Sequence, residues 1–123
     1  MNWKLTGDSP VYQQIMAAIR GAILKGELPP GGKVPSVRDL AAQAQVNPNT
    51  MQRALTELER EGLLISGGTS GRTVTQEEGI LKAMREETLQ ALAKEFAEKC
   101  MVFGVTPTEA AQLLLALDEK KEA

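Results

Sequence analysis

Side chains with paired hydrogen-bonding groups recur along the segment that runs from position 47 to position 56. At helical spacing they lie opposite an apolar stripe formed by Met51, Ala54, Leu55 and Leu58. Asn, Gln and Arg can each bond twice to the edge of a base, and an α-helix fits the major groove of DNA. We therefore predict a helix whose outer side reads DNA through Asn47, Asn49, Thr50, Gln52, Arg53 and Thr56.

Cap signals place this helix second in a pair. Ser36 is able to cap the preceding helix, and Asp39 three residues later completes a capping-box pattern. Gln45-Val46 turns the chain, and Asn47-Pro48 joins a cap residue to the proline tolerated at the first helical position. Two short helices joined by such a turn form a helix-turn-helix motif.

A glycine-rich segment follows the helix pair. The β-prone runs 63–66 and 72–75 flank it and predict a hairpin with glycines at its tip. Because the tip has few side chains to clash with a ligand, Thr69, Gly71 and Arg72 are candidate contacts to a DNA groove or backbone. A plain tight turn explains the glycines equally well.

The helical features also have ordinary explanations. A polar helix face is often only solvated, and Arg38, in the first turn after Ser36, could pair with Asp39 or a glutamate. Three helices followed by a glycine-tipped hairpin nevertheless form the winged helix-turn-helix plan. This combination favours DNA contact by Ser36 and Arg38.

The residue types exclude most common enzyme sites. The chain has no His and one Cys, which removes His-based acid–base chemistry, zinc fingers and an internal disulfide framework. Glu57, Glu59 and Glu61 lack a partner base, and we interpret them as solvated. We therefore expect no catalytic residue, no metal and no cofactor.

The cysteine and the N-terminus bear on the compartment. Cys100 is interpreted as a small core residue, with a redox sensor as the alternative. The unpaired thiol favours the reducing cytoplasm, and no signal peptide or membrane-spanning stretch is recognisable.

Helical patterns also lie on both sides of the central motif. Ser9-Pro10 is expected to start a first helix that ends near Lys25, and a non-helical loop is expected over 28–35. From residue 77 the chain returns to helix until Gly104, and Thr106-Pro107 starts a further short helix. The expected domains are residues 1–76 and 77–123.

The C-terminal segment has more apolar positions than a lone helical hairpin can bury. Packing against a second copy is the simplest remedy, and packing on its own DNA-binding domain is the alternative. The residues expected at the dimer interface are Leu81, Leu92, Phe96, Phe103, Leu113, Leu114 and Leu117.

The net charge of −2 argues at first against a polyanionic partner. Residues 1–76, however, hold eight Lys and Arg against six Asp and Glu, whereas residues 77–123 hold six against ten. The acidity therefore belongs to the C-terminal segment. Four cations lie at or beside the expected DNA face: Lys33, Arg38, Arg53 and Arg72.

Several motifs in order resemble the DNA-binding domain of GntR-family bacterial transcription regulators. They are Pro35-Ser36-Val37-Arg38-Asp39-Leu40-Ala41, Val46-Asn47-Pro48-Asn49-Thr50-Met51, and the run from Ala54 to Leu63. The Val-Asn-Pro-Asn-Thr run and the short C-terminal extension are similar to the YtrA subfamily. The chain departs from many family members in carrying Pro48 in place of Arg and in lacking an aromatic residue after the Gly-Thr pair of the wing.

The resemblance implies a mainly α fold with a small β-hairpin, in which a winged helix-turn-helix domain precedes a C-terminal helical hairpin for dimerisation. It further implies a homodimeric regulator, by expectation a repressor, that reads double-stranded DNA at an inverted-repeat operator, with Arg38, Asn49 and Thr50 near the DNA and the wing near the minor groove. The C-terminal segment is too short to enclose a conventional pocket, so a small-molecule effector would bind at the dimer interface or between domains. The alternative function is a winged-helix module that binds protein.

Overall fold

The computed structural model describes residues 1–122, within which the chain forms five α-helices and one small sheet. The helices are α1 (Val11–Leu24), α2 (Val37–Ala44), α3 (Pro48–Arg60), α4 (Glu78–Met101) and α5 (Pro107–Glu122). The strands are β1 (Lys33–Val34), β2 (Leu64–Ser66) and β3 (Arg72–Val74), and a 3₁₀ turn, Gly68–Ser70, separates β2 from β3. The predicted mainly helical class with a small hairpin is confirmed.

Strand β1 lies inside the loop that the sequence indicated over 28–35, so that prediction was incomplete. The sheet is antiparallel in the order β1-β3-β2, with Lys33 opposite Thr73 and Val34 opposite Arg72. A two-residue strand between Gly32 and Pro35 is too short to show the alternating pattern that identifies strands. Its pairing with β3, and not its own sequence, makes it a strand.

Gly31 brings this loop close to the end of β3. Its N–H donates to the carbonyl oxygen of Val74 at 2.8 Å, and its φ of +74° lies in the left-handed region that favours glycine. The backbone conformation of this turn therefore favours glycine here, whereas the atoms nearest to a Cβ at this position belong to the flexible, exposed side chain of Gln76.

Three of the four predicted caps are formed. The hydroxyl of Ser36 accepts from the N–H of Asp39 at 3.0 Å, and Oδ1 of Asn47 accepts from the N–H of Asn49 at 2.7 Å. Thr106 and Glu109 form a reciprocal capping box, with side chain to backbone distances of 3.2 and 3.1 Å. These caps fix the starts of α2, α3 and α5.

Three local predictions were wrong. Pro10, not Ser9, is the N-cap of α1, which has no side-chain cap, and the carbonyl of Ser9 instead accepts from Nε2 of Gln14. Phe103 lies in the turn after α4 and not on its face, because α4 ends at Met101. Cys100 is half-buried in the last turn of α4 and is not a core residue.

The core lies in a first compact unit, Met1–Met84, and packs α1, α2 and α3 against the sheet. All four apolar residues of the α3 stripe have 0% exposure. At about 1.5–3 kcal/mol for each large buried side chain, this stripe sets which side of α3 faces outward. The largest fully buried apolar side chains are Ile15, Ile19, Leu40, Met51, Leu55, Leu58, Leu64 and Val74.

The first unit extends beyond residue 76, where the sequence placed the domain boundary. Met84 is buried in the core cluster, and Ile80 and Leu81 pack against it. Leu81 therefore packs on the core of its own unit, and its place in a dimer interface stays a prediction. A second compact unit begins at Arg85 and contains α5. No helix in the described part of the chain is long and apolar enough to cross a membrane.

Candidate nucleic-acid interface

Helix α3 presents the polar face that its sequence predicts. Asn49, Gln52, Arg53 and Thr56 are exposed, and Thr50 is half-buried. Nε2 of Gln52 donates to Oγ1 of Thr56 at 3.2 Å, one turn along the helix. Because the opposite side is fully buried, these side chains point away from the core and are available to a ligand.

Asn47 and Ser36 each cap the N-terminal end of a helix in this motif. Each side-chain oxygen accepts a backbone N–H that the helix start would otherwise leave without a partner. Both residues are exposed. They fix the N-terminal ends of α2 and α3, the ends at which Arg38 and Asn49 stand.

Arg38 is exposed in the first turn of α2. The described residues include no carboxylate within ion-pair distance of it, and Asp39 donates its backbone N–H to Oγ of Ser36. The alternative pairing of Arg38 with Asp39 is thus not found. Its guanidinium retains its donors for an anion or a base edge.

The wing is the hairpin β2–β3 with its 3₁₀ turn. Thr69 and Gly71 are exposed, and Gly71 has a φ of +79°. Arg72 differs from these two residues, because its side chain is only 18% exposed and its Nε forms an ion pair with Oε1 of Glu59 on α3. Arg72 therefore ties the wing to α3.

Glu57 and Glu59 of α3 and Glu61 at its C-cap are not simply solvated, and that interpretation was wrong. Glu59 pairs with Arg72, Glu61 pairs with Arg20 of α1 at 2.6 Å, and Glu57 pairs with Arg60 at 3.2 Å. The spacing of Glu57 and Arg60 was a local signal for their pair. Arg20 and Glu61 are 41 residues apart and no local pattern connects them.

Tyr12 belongs to this candidate interface and was missed by sequence reasoning, because its spacing with Ile15, Met16 and Ile19 is typical of the apolar face of a helix. Cζ of Arg53 lies 3.7 Å from the centroid of its ring. Tyr12 and Arg53 line an open groove between the N-terminal ends of α1 and α3. The other lining residues are Pro10, Val11, Asn49 and Thr50.

The second unit carries the other predicted site residues. Leu92, Leu113, Leu114 and Leu117 are each at least half exposed, Phe103 is 84% exposed, and Phe96 is half-buried. Across the described residues, no group of three or more His, Cys, Asp or Glu side chains is arranged to hold a metal ion.

Comparison with known proteins identifies the family to which this chain is similar. The family model described as bacterial regulatory proteins, gntR family, matches residues 11–74, just over half of the chain. An uncharacterised helix-turn-helix transcriptional regulator, YhcF of Bacillus subtilis, is 31% identical over 89% of this chain and 90% of its own length. The transcriptional repressor YtrA of Bacillus subtilis is 47% identical over 46% of this chain and 44% of its own length.

Solved structures agree with these matches. A GntR family transcriptional regulator from Listeria monocytogenes has a TM-score of 0.80 and 27% identity, and the match covers 94% of this chain and 98% of that one. The predicted family resemblance, including its YtrA-like character, is confirmed. The chain belongs to the GntR family of DNA-binding transcription regulators.

Proposed function

We propose that this chain represses transcription by binding an inverted-repeat operator as a homodimer. The observation that carries the proposal is the outer face of α3, where exposed Asn49, Gln52 and Arg53 lie opposite a fully buried stripe. Asn49 and Gln52 match the donors and acceptors of base edges in the major groove, and Arg53 adds a cation beside them. Exposed Arg38 stands in the first turn of α2 and adds a cation to the same motif.

The wing takes a supporting part in this proposal. Its exposed tip, with Thr69 and Gly71, has few side chains that would clash with a groove or a phosphate. Arg72 sets the position of the wing through Glu59, and its pairing leaves less of its charge for DNA. We assign the DNA-binding domain to residues 1–76, extended by the first turns of α4.

The second unit supports the homodimer. Nine of the eleven large hydrophobic residues that are exposed in the described chain lie at or beyond Leu89. Monomeric proteins rarely leave so many apolar side chains in water, and a symmetric second copy covers such a surface with the same residues from both sides. The residues assigned to the interface are Leu92, Phe96, Phe103, Leu113, Leu114 and Leu117.

A dimer and an inverted repeat have matching symmetry. Two copies of α3 about 34–36 Å apart would enter successive major grooves on one face of the duplex. Repression is proposed because the YtrA relative is named a repressor. A regulator of this kind acts in the cytoplasm, where the bacterial chromosome lies, and a small-molecule effector would bind where two protomers meet.

Selection of genomic DNA fragments by the purified protein tests the proposal. The recovered sequences should share an inverted repeat whose half-sites are centred about 10 base pairs apart, as twofold docking on one face of the duplex requires. The double variant Arg38→Ala/Asn49→Ala serves as the matched control and should recover no shared motif. Fragments without a common motif for the wild-type protein would refute operator recognition, and a single unrepeated half-site would refute the dimeric mode.

A further inference from the structure

The contact between Tyr12 and Arg53 joins two helices at the edge of the candidate interface. Tyr12 lies in the first turn of α1, half-buried and packed against the core, while Arg53 lies on the exposed face of α3. The hydroxyl of Tyr12 accepts from Nε2 of Gln13 at 3.2 Å. The ring is thus held by the fold, and the arginine rests on it.

The distance defines how the guanidinium lies. Its C–N bonds are about 1.3 Å long, so an edge-on guanidinium would put one or two nitrogens about 2.4–3.1 Å above the ring, inside the contact distance of about 3.5 Å. A Cζ-to-centroid distance of 3.7 Å therefore favours a face-on arrangement. The ring occupies a face of the guanidinium and leaves the N–H donors, which lie in its plane, pointing outward.

We propose that Tyr12 is a positioning residue that holds Arg53 ready to bind a DNA backbone phosphate beside the recognition helix. The inference rests on the proposed DNA-binding function and deepens it. In the described part of the chain no carboxylate pairs with Arg53, so its donors are not committed to an acid. The groove that it lines with Asn49 and Thr50 is open to solvent.

A phosphate fits this arrangement better than a base does. The stack holds Arg53 toward α1, at the flank of α3, whereas bases are read along the outer face of α3 itself. The planar fork of arginine matches two phosphate oxygens. An arginine already ordered by a ring loses less side-chain freedom on binding, which corresponds to about 3- to 10-fold in affinity.

The test uses the full chain and fluorescence anisotropy with two labelled duplexes: the motif recovered by genomic selection and a scrambled duplex of equal composition. Arg53→Gln should weaken binding to both duplexes by the same factor and lower the slope of log affinity against log salt by about 1. Tyr12→Leu should weaken both by about 3- to 10-fold. Tyr12→Phe keeps the ring and should therefore bind both duplexes with the affinity of the wild type.

A double variant separates positioning from general damage to the fold. Because Tyr12 acts through Arg53, Tyr12→Leu should have no further effect on affinity in the Arg53→Gln background. In the free protein, the side-chain protons of Arg53 should show an upfield ring-current shift in the nuclear magnetic resonance spectrum, and Tyr12→Leu should abolish it. That readout does not depend on DNA.

Several outcomes would overturn the inference. Equal effects of Tyr12→Leu with and without Arg53 would show that Tyr12 does not act through it. A changed preference between the duplexes with an unchanged salt slope would make Arg53 a base reader. Wild-type protein that binds neither duplex would refute the proposed function as well, whereas normal wild-type binding with unaffected variants would refute this inference alone.

Discussion

Asn47 serves the fold through the side-chain oxygen that was first considered as a DNA contact. Oδ1 accepts the N–H of Asn49 at 2.7 Å, and Pro48 follows at the first helical position, where its missing N–H costs nothing. The start of α3 is therefore fixed by its own sequence. Asn49 lies in the first turn, so the cap also fixes the position of Asn49.

Replacement of Asn47 separates the cap from any contact with DNA. Asn47→Ala should lower the free energy of unfolding by about 1 kcal/mol, since the N–H of Asn49 loses its acceptor. Asn47→Ser keeps an oxygen cap and should stay within a few tenths of a kcal/mol of the wild type. Urea denaturation measures both values. Equal losses for the two variants would contradict the cap as the source of the stability.

Arg38 and Asn49 are the residues expected to read DNA directly. Arg38→Ala and Asn49→Ala should each weaken operator binding by about 1–3 kcal/mol with folding intact, because both side chains are exposed and no fold contact of either is lost. A gel-shift titration measures the change. Arg60→Ala and Gln43→Ala remove an exposed cation and an exposed amide from the same two helices and serve as controls. An affinity equal to that of the controls would remove either residue from the site.

At the scale of elements, α3 and the wing are joined by one ion pair. Arg72 of β3 and Glu59 of α3 are both less than a third exposed. A partly buried pair of this kind stabilises the relative position of two elements more than an exposed pair does, because water screens it less. The wing is thus held by a side chain from the recognition helix.

A double-mutant cycle tests this connection. Glu59→Gln and Arg72→Gln should each lower the free energy of unfolding by about 1 kcal/mol or more, and the double variant should lose less than the sum of the two. Urea unfolding of all four proteins gives the coupling energy. The exposed pair of Lys94 and Glu98 on α4 provides the matched control, for which we expect almost no coupling. Strictly additive losses at Glu59 and Arg72 would contradict the connection.

The sequence predicted the features that depend on residues close together along the chain. Ser36, Asn47 and Thr106 cap helices as predicted, because a cap depends on residues within one turn. Strand β1 and the pairs of Arg20 with Glu61 and Arg72 with Glu59 were missed, since their partners lie far along the chain. Tyr12 was missed at the candidate site, because the apolar spacing of α1 cannot show that one face of a ring contacts a cation.

At the scale of the whole molecule, charge divides between the two parts of the sequence. Residues 1–76 carry two more cations than anions, and residues 77–123 carry four more anions than cations. A surplus of two is small for a DNA-binding protein, so non-specific binding by one subunit should be weak. In the proposed dimeric mode, affinity then depends on two subunits that bind together.

The salt dependence of operator binding measures how many phosphates the dimer contacts. With about six to ten phosphates neutralised, affinity should fall by roughly 10³- to 10⁵-fold between about 50 and 200 mM salt. Anisotropy titrations at a series of salt concentrations give the slope. An affinity that hardly changes over that range would contradict phosphate contacts from both subunits.

If the second unit forms the dimer, substitutions that disrupt its apolar surface should weaken both dimerisation and DNA binding. Leu92→Glu/Leu114→Glu places charges on the exposed apolar surface and should give a monomer in sedimentation experiments. Affinity for the inverted repeat should then fall by about 10²- to 10⁴-fold, because one half-site no longer assists the other. Gln90→Glu, at an exposed polar position of α4, should leave the dimer intact. A variant that stays dimeric would exclude this surface as the interface.

Two long-range ion pairs, one from Glu59 of α3 and one from its C-cap residue Glu61, would also limit the roll of α3 about its own axis. Glu59 and Glu61 are two positions apart, which at about 100° per residue separates their directions by about 200°. One is held by β3 and the other by α1, so the helix is braced from nearly opposite sides. In the proposed complex, a small roll would shift Asn49 and Gln52 together across the bases that they face. The brace lies near the far end of the helix from Asn49, so a substitution there would change which sequence is read without replacing any of the reading side chains.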